Sequence, residues 1–383
     1  MTIRKLAALL AVLALFVAAC GDGDDAGDTT TAGVDETTTT EAMEETTTTE
    51  AMDETTTTEA MAEHPDWPET LVFGFVPSQE AGELQDDVDT FAGILSDALG
   101  IEVEGVVSND YPALGAAMGT GQADMGAFGP AGYVLASRVY ENLELLAQSV
   151  RFGDPTYHAQ WYTNDPSVCD GDPVEGAFYY DEAGNVVAVG PTDSPALQVG
   201  WNGDGTQDDA ASAGLRCPEP VDISVVVGST IAFPGESSTS GYIFPQLQLL
   251  DQGITDDQYE SLFFGGSHDL AITAVYNGDA EFGLSFDDAR RSVREETPDV
   301  GEKVIVFNIS PRIANDVISV RADLPDDLKD AIFQAMADYI ATEEGAEVMD
   351  QLYSWTDLTR ADATTEASLE PIGDAIDRLG FSD

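Results

Sequence analysis

The stretch FPGESSTSGYIFPQLQLL, residues 233–250, decides how this chain is read. Four hydroxyl residues in a row, Ser237 to Ser240, stand with Gly241 between a β-branched run (VDISVVVG, 221–228) and an apolar run of helical length. Ser and Thr are poor inside helices but good at helix starts, where their oxygens cap amides that the helix leaves unpaired. One hydroxyl meets that need. The surplus predicts a second duty, in which hydroxyls and amides converge at the positive end of a helix dipole, with Gly241 letting the backbone come close, and receive an anion. The plainer alternative is a simple N-cap with polar loop residues around it. Strand, loop and helix in this order form the unit of an α/β protein whose ligand sits beyond the carboxyl ends of its strands.

The same alternation extends in both directions. Upstream, TLVFGFVPS (70–78) is an apolar run of strand length ended by Pro77, and DDVDTFAGILSDALG (86–100) carries helical spacing up to Gly100. IEVEGVV (101–107) alternates like a strand, YPALGAAMGTGQ (111–122) reads as a helix, ADMGAFG (123–129) as a strand and PAGYVLASRVYEN (130–142) as a helix. The second series opens with DISVVVG (222–228) as a strand, passes through the hydroxyl loop and its helix, and continues with ESLFFGG (260–266), DLAITAVYNGD (269–279), AEFGLSF (280–286) and DDARRSVREE (287–296). KVIVFNISP (303–311) and DVISVRADLP (316–325) are predicted strands, and PDDLKDAIFQAMADYIAT (325–342) and GAEVMDQLY (345–353) predicted helices. Between the two series, residues 164–220 are rich in Gly, Pro and Asp. DEAGN (181–185) between two strand-like runs predicts a hairpin there, in an insertion at about 165–220 bounded by Cys169 and Cys217.

A chain of 383 residues suits two lobes better than one core. Its 72 acidic residues against 14 Lys plus Arg give a formal charge of -58, which repels DNA, RNA and acidic membrane surfaces and excludes nucleic-acid partners. MTIRKLAALLAVLALFVAAC (1–20) joins two basic residues, a short apolar stretch and small residues, the pattern of an export signal over 1–19. VAAC also resembles the bacterial lipobox, in which Cys20 becomes the lipid-bearing first residue; the alternative is a plain signal peptide and an ordinary cysteine. Residues 20–68 repeat the unit ETTTTEAM three times and contain no aromatic residue before Trp67. Such a segment buries too little apolar surface to offset its ordering entropy, so it is expected to be a disordered spacer that lifts the rest off a membrane. Outside the cell Cys169 and Cys217 pair as a disulfide, worth at most about 4 kcal/mol on the chain-entropy account; two free thiols are the alternative.

No phosphate-loop, zinc-helix, nucleophile-elbow or C-x-x-C motif is present, and there are three histidines in all, so no cofactor, no metal and no enzymatic activity are expected. Two contrary readings remain open. His268 beside Asp269 in GSHDLAIT, with Ser238 or Ser240, has the composition of a nucleophile and its base in a hydrolase. Asn202, Asp204, Asp208 and Asp209 in NGDGTQDD offer oxygen ligands for calcium, without the full loop spacing; a solvated acidic turn is the alternative.

Five ordered blocks carry a resemblance: LVFGFVPSQEAGEL (71–84), DYPALGAAMGTGQADMGAFGPAGYVLA (110–136), STIAFPGESSTSGYIFP (229–245), GGSHDLAITAVYNGDAEFGLSFDDA (265–289) and SPRIANDVIS (310–319). On them the chain resembles the phosphonate/phosphite/phosphate-binding proteins of bacterial ABC importers, over everything after the spacer except the insertion. The resemblance implies the type II periplasmic-binding-protein architecture: two α/β lobes, each a mostly parallel sheet flanked by helices, joined by two hinge crossings that close over ligand. Residues 69–159 with 314–383 would form one lobe and 160–313 the other. It further implies an oxyanion cradle of Ser238, Thr239 and Ser240, phenols from Tyr111 and Tyr157, and a donor in His268. For an aminoalkyl ligand the ammonium would be held by Asp288, or its neighbour Asp287, and by Asp316; the plainer readings are core aromatics for Tyr111 and Tyr157 and a cap of the helix DDARRSV (287–293) for Asp287 or Asp288. Hydroxyls, amides and a helix end would then hold the anion without an arginine, each bond to the charged group contributing about 1.5 to 3 kcal/mol. The expected protein is a monomer, anchored by lipid to the outer face of a bacterial membrane, that passes a small phosphorus oxyanion to a permease. A receptor of the same fold feeding a signalling protein, and a cell-surface structural protein, are the alternatives.

Overall fold

The computed structural model describes residues 64–78, 81–181, 185–190 and 214–381. Cys20, the spacer repeats and the acidic turn with Asn202, Asp204, Asp208 and Asp209 lie outside the described residues. Among the described residues no helix is long and apolar enough to cross a membrane.

The first lobe alternates without interruption: β1 (Thr70–Phe75), α1 (Ala81–Leu99), β2 (Glu102–Val107), α2 (Tyr111–Gly119), β3 (Met125–Phe128), α3 (Pro130–Val139) and β4 (Leu143–Val150). α1 buries Leu84, Val88, Phe91, Leu95 and Leu99, the one-sided stripe that its spacing predicts, and Gly100 ends it at φ 70. The chain crosses through β5 (Thr156–Tyr157) into the second lobe, which begins with β6 (Ala159–Thr163) and the short β7 (Val174–Glu175). The strands β8 (Ala177–Tyr180) and β9 (Val186–Val189) form an antiparallel hairpin, closed by Asn185 against Asp181. β10 (Leu215–Arg216), β11 (Thr230–Phe233), α4 (Phe244–Asp251), β12 (Glu260–Phe263), α5 (His268–Asn277), β13 (Phe282–Phe286), α6 (Val300–Lys303) and β14 (Ile305–Ile309) complete that lobe. The return runs through β15 (Ile313–Ala314) to β16 (Val317–Arg321), α7 (Asp326–Ile340), α8 (Glu343–Tyr353), β17 (Asp357–Arg360) and α9 (Ala363–Leu379).

The first sheet has the order β17-β4-β16-β3-β1-β2 and the second β12-β11-β13-β6-β14-β10-β7. In the first, β1 pairs parallel with β2 and β3, and β4 runs the same way on the far side of the antiparallel β16. In the second, β11 pairs parallel with β12 and β13, and the antiparallel β6 separates β13 from β14. The reversed strand in the interior of each sheet is the one that arrives across the hinge from the other lobe; a second reversed strand, β17 in the first sheet and β7 in the second, lies at an edge. β5 and β15 lie side by side as an antiparallel pair, so both crossings share one small ladder. Each lobe has its own core, around Phe73, Phe75, Phe91 and Trp355 in one and Trp161, Phe233, Phe282 and Phe307 in the other.

Two elements depart from their predicted form. The run 222–228 is not a strand: Asp222 caps a 3-10 turn over Ile223–Val226 by accepting from the Ser224 N–H at 2.8 Å, Gly228 turns at φ 86, and the strand starts only at Thr230. Val225 and Val227 point outward, so the β-branched run serves a corner. Residues Ala289–Val293, in DDARRSVREE, likewise form a 3-10 turn.

Cys169 and Cys217 are bonded as a disulfide, with their Cα atoms 5.1 Å apart. The β8–β9 hairpin between them lies against the hinge. The Tyr179 hydroxyl donates to Asp154 at 3.0 Å, Arg312 reaches the same carboxylate at 3.2 Å, and His158 stacks on Tyr180 with ring centroids 5.3 Å apart.

Candidate functional site

Two of the loop hydroxyls belong to the helix itself. Ser238 is the cap, its Oγ accepting from the Gly241 N–H at 3.1 Å, and Thr239 and Ser240 already lie in the first turn. That turn, Thr239–Ile243, is a π-helical one that runs straight into α4. Pro245 supplies the reason: it has no N–H to donate and its ring crowds the carbonyl four residues back, which the wider turn relieves. A Cβ on Gly241 would stand 2.6 Å from the Pro234 ring and 2.8 Å from Ser238 Oγ, so only glycine lets the loop close on itself.

This turn faces the first lobe across a cavity of about 760 Å³. Tyr111, Tyr157, Ser238, Thr239, Ser240, His268 and Asp316 all line it. Tyr111 opens α2 behind the Asp110 cap, and Tyr157 belongs to the hinge strand β5. The Tyr111 phenol meets Ser238 and the Tyr157 phenol meets Ser240, so these two serines are each matched by a phenol. Burial, reinforced by the Asp316 charge, pushes both phenols well above their ordinary value and keeps them protonated donors.

His268 begins α5, with Nε2 3.2 Å from Ser238 Oγ and Nδ1 2.7 Å from Ser285 Oγ. Burial, with the nearby Arg151 charge second, lowers its pKa to about 3, so the imidazole is neutral at physiological pH. The group that orients it is a serine. Asp269, the carboxylate of the hydrolase reading, instead accepts from the Ser292 hydroxyl. A serine paired with so weak a base, without a carboxylate behind it, lacks the arrangement of an activated nucleophile.

The lobes are closed on one another. The Ala131 N–H, in the first turn of α3, donates to Thr239 Oγ1 at 2.9 Å, and the His268 N–H donates to the Ser78 carbonyl at 2.9 Å. Gly266, at φ 112, approaches so closely that a Cβ there would stand 2.8 Å from the Pro77 carbonyl and 3.0 Å from the Tyr111 ring. At the far edge Arg378 of α9 pairs with Asp251 of α4.

The carboxylates require correction. Asp288 does not line the cavity. It caps the 3-10 turn through the Arg290 N–H at 3.1 Å and grips the Arg290 guanidinium, whose Nε and Nη2 lie 2.9 and 2.5 Å from its oxygens. A side chain with only one methylene cannot serve that buried pair and also reach the ligand. Asp287 is also absent from the lining; its carboxylate accepts from the His158 N–H at 3.2 Å, and burial pushes it up to about 7. Asp316 lines the cavity, but it is bound by Arg151 and by the Trp355 indole N–H at 3.2 Å.

Arg151 is the residue that sequence reasoning missed. The cavity is not built of uncharged donors alone, since Arg151 and Arg291 both line it. A signal was available: few of the chain's 14 basic residues fall in apolar strand-like segments, and Arg151 closes one of them just ahead of the first hinge crossing.

Two sheets joined by paired crossings, with a polar cavity between closed lobes at the head of a helix, define a type II periplasmic binding protein. The family described as the periplasmic phosphonate substrate-binding protein of ABC transporters matches residues 73–365, and the chain belongs to it. That family is one of binding proteins and not of enzymes. The phosphate-import protein PhnD of Mycolicibacterium smegmatis is 24% identical over 231 residues, 58% of this chain and 56% of the relative, so the match spans about half of that protein's length. Among solved structures, PhnD1 of Prochlorococcus marinus in complex with methylphosphonate superposes with a TM-score of 0.61 at 18% identity, covering 82% of this chain and 99% of that one. A binding component of an ABC phosphonate transporter from Pseudomonas aeruginosa gives 0.58 at 18% identity, with 81% and 86% covered.

Proposed function

We propose that this protein is a lipid-anchored, extracytoplasmic solute-binding protein that captures a small phosphorus oxyanion, phosphonate, phosphite or phosphate, and delivers it to an ABC permease. The observation that carries this reading is the convergence of Tyr111, Tyr157, Ser238, Thr239, Ser240 and His268 on one cavity at the head of α4. The two phenols are protonated and so can donate to a tetrahedral oxyanion. Four hydrogen bonds to a charged group, at about 1.5 to 3 kcal/mol each, total about 6 to 12 kcal/mol, a range that spans the roughly 8 kcal/mol of a micromolar complex. The same donors select against ligands that lack those oxygens, which would leave them buried and unpaired.

In this reading residues 69–159 with 314–383 and residues 160–313 are the moving bodies, and Cys20 carries the anchor at the outer face of the cell membrane. The protein acts as a monomer, and closure presents the permease with a surface that the open form lacks. The test is a thermal-shift series with phosphate, phosphite, methylphosphonate and sulfate. A phosphorus oxyanion at 100 times its dissociation constant stabilises the closed form by about 2.7 kcal/mol. No shift with any of the three phosphorus oxyanions refutes the reading.

A further inference from the structure

Arg151 follows β4 at the first hinge crossing, where its backbone exchanges two hydrogen bonds of 3.0 Å with Asp154. Its side chain is 9% exposed, lying between the rings of Tyr157 and Phe286 with Cζ 5.1 and 5.6 Å from their centroids. One edge of the guanidinium, Nη2, binds Asp316. Another donor, Nε, is buried in the cavity wall with no hydrogen-bond partner. A buried N–H left unpaired is costly, and a guanidinium offers five donors in a fixed fork, so one edge can serve a carboxylate while another faces a ligand. The Arg151 charge also acts on Tyr111, Tyr157 and His268, which places it among the groups that would surround the anion.

We propose that Arg151 is a specificity-determining residue: its free Nε–H binds the oxyanion while Nη2 occupies the Asp316 carboxylate, so the cavity accepts a phosphorus oxyanion without a cationic substituent and rejects one bearing an ammonium group. The inference rests on the oxyanion reading of the site. Asp316 is the carboxylate whose charge acts on both phenols, hence the one beside the cradle. It is already neutralised. An ammonium brought beside Asp316 would find that carboxylate already paired and would meet Arg151 at close range in a medium of low dielectric, where like charges repel strongly. Asp288, the other carboxylate considered for that role, is taken by Arg290.

Isothermal titration of the full chain with methylphosphonate and aminoethylphosphonate, ligands that differ by the amine-bearing carbon, tests this. The wild type is expected to bind methylphosphonate at least about tenfold more tightly. Equal or tighter binding of the amine overturns the inference and leaves the oxyanion reading standing; binding of neither ligand, nor of phosphate, overturns both. Arg151→Gln is expected to weaken methylphosphonate by roughly tenfold or more while aminoethylphosphonate is held or gains, because the carboxylate is uncovered. An equal loss for both ligands overturns the proposal. Because that variant leaves a buried carboxylate without its counter-ion, Asp316→Asn is measured beside it. Freed from Asp316, Arg151 should tighten methylphosphonate while its uncompensated charge leaves aminoethylphosphonate unchanged or weaker, whereas an unchanged or weakened methylphosphonate would refute the proposal.

Discussion

Replacing Gly266 by alanine separates lobe closure from folding. The new methyl would stand 2.8 Å from the Pro77 carbonyl oxygen, 3.0 Å from the Pro77 ring and 3.0 Å from Tyr111 Cε2, all in the opposite lobe. Restoring ordinary separations requires the lobes to part by about half an ångström or more. Two short bonds nearby cannot follow: His268 N–H to the Ser78 carbonyl and Ala131 N–H to Thr239 Oγ1, each 2.9 Å. Losing both costs about 2 kcal/mol at roughly 1 kcal/mol each, a reduction in affinity of about 30-fold. The φ of 112 adds strain of about 1 to 3 kcal/mol, but the open and closed forms share it, so it lowers stability rather than affinity. Gly265→Ala is the control, because Gly265 also has a positive φ, 66, and no atom within 4 Å of its missing Cβ. Titration calorimetry with methylphosphonate reads affinity, and urea unfolding without ligand reads stability. Both variants should lose stability, and Gly266→Ala alone should lose affinity. Wild-type affinity in Gly266→Ala, or an equal loss in the two variants, refutes the account of closure.

Thr239→Val keeps the shape of the side chain but deprives the Ala131 N–H of its acceptor in the closed form; the expected loss of about 1 to 3 kcal/mol weakens methylphosphonate binding by roughly fivefold to 150-fold, and an unchanged dissociation constant contradicts it. Burial raises the Asp287 carboxyl from 3.8 to about 7, so the folded state binds the extra proton between those values and its stability falls as pH rises through that window. Asp287→Asn removes this dependence, and its melting temperature should gain on the wild type from pH 4 to pH 8; a constant difference rules out the assignment. Reducing Cys169–Cys217, 48 residues apart, should lower the unfolding free energy by up to about 4 kcal/mol, and superimposable denaturation curves with and without reductant would exclude any stabilisation. The formal charge of -58 slows an incoming anion, so the stopped-flow association rate should rise as salt increases toward about 0.15 M, and a falling rate counts against electrostatic opposition.

Much of the architecture is legible in the order of residues because strand and helix periodicity are local properties. The stripe on α1, the Gly100 stop and the Asp110-Tyr111-Pro112 helix start need only their near neighbours. The hydroxyl loop is legible for the same reason, since capping and proline both act within one turn. DISVVVG misleads because β-branched composition reports extended backbone, whereas Asp222 and Gly228 bend it into a corner.

Sequence by itself determined the alternating α/β pattern, the hydroxyl-rich helix head, the excess of acid and the set of residue types from which an anion site can be made. Tertiary structure alone decided which charges are available in that site. Asp288 is spent on Arg290 two residues away, Asp316 on Arg151 across 165 positions, and His268 is neutral because it is buried beside a guanidinium. Pairing and desolvation depend on distances through space, which spacing along the chain does not encode.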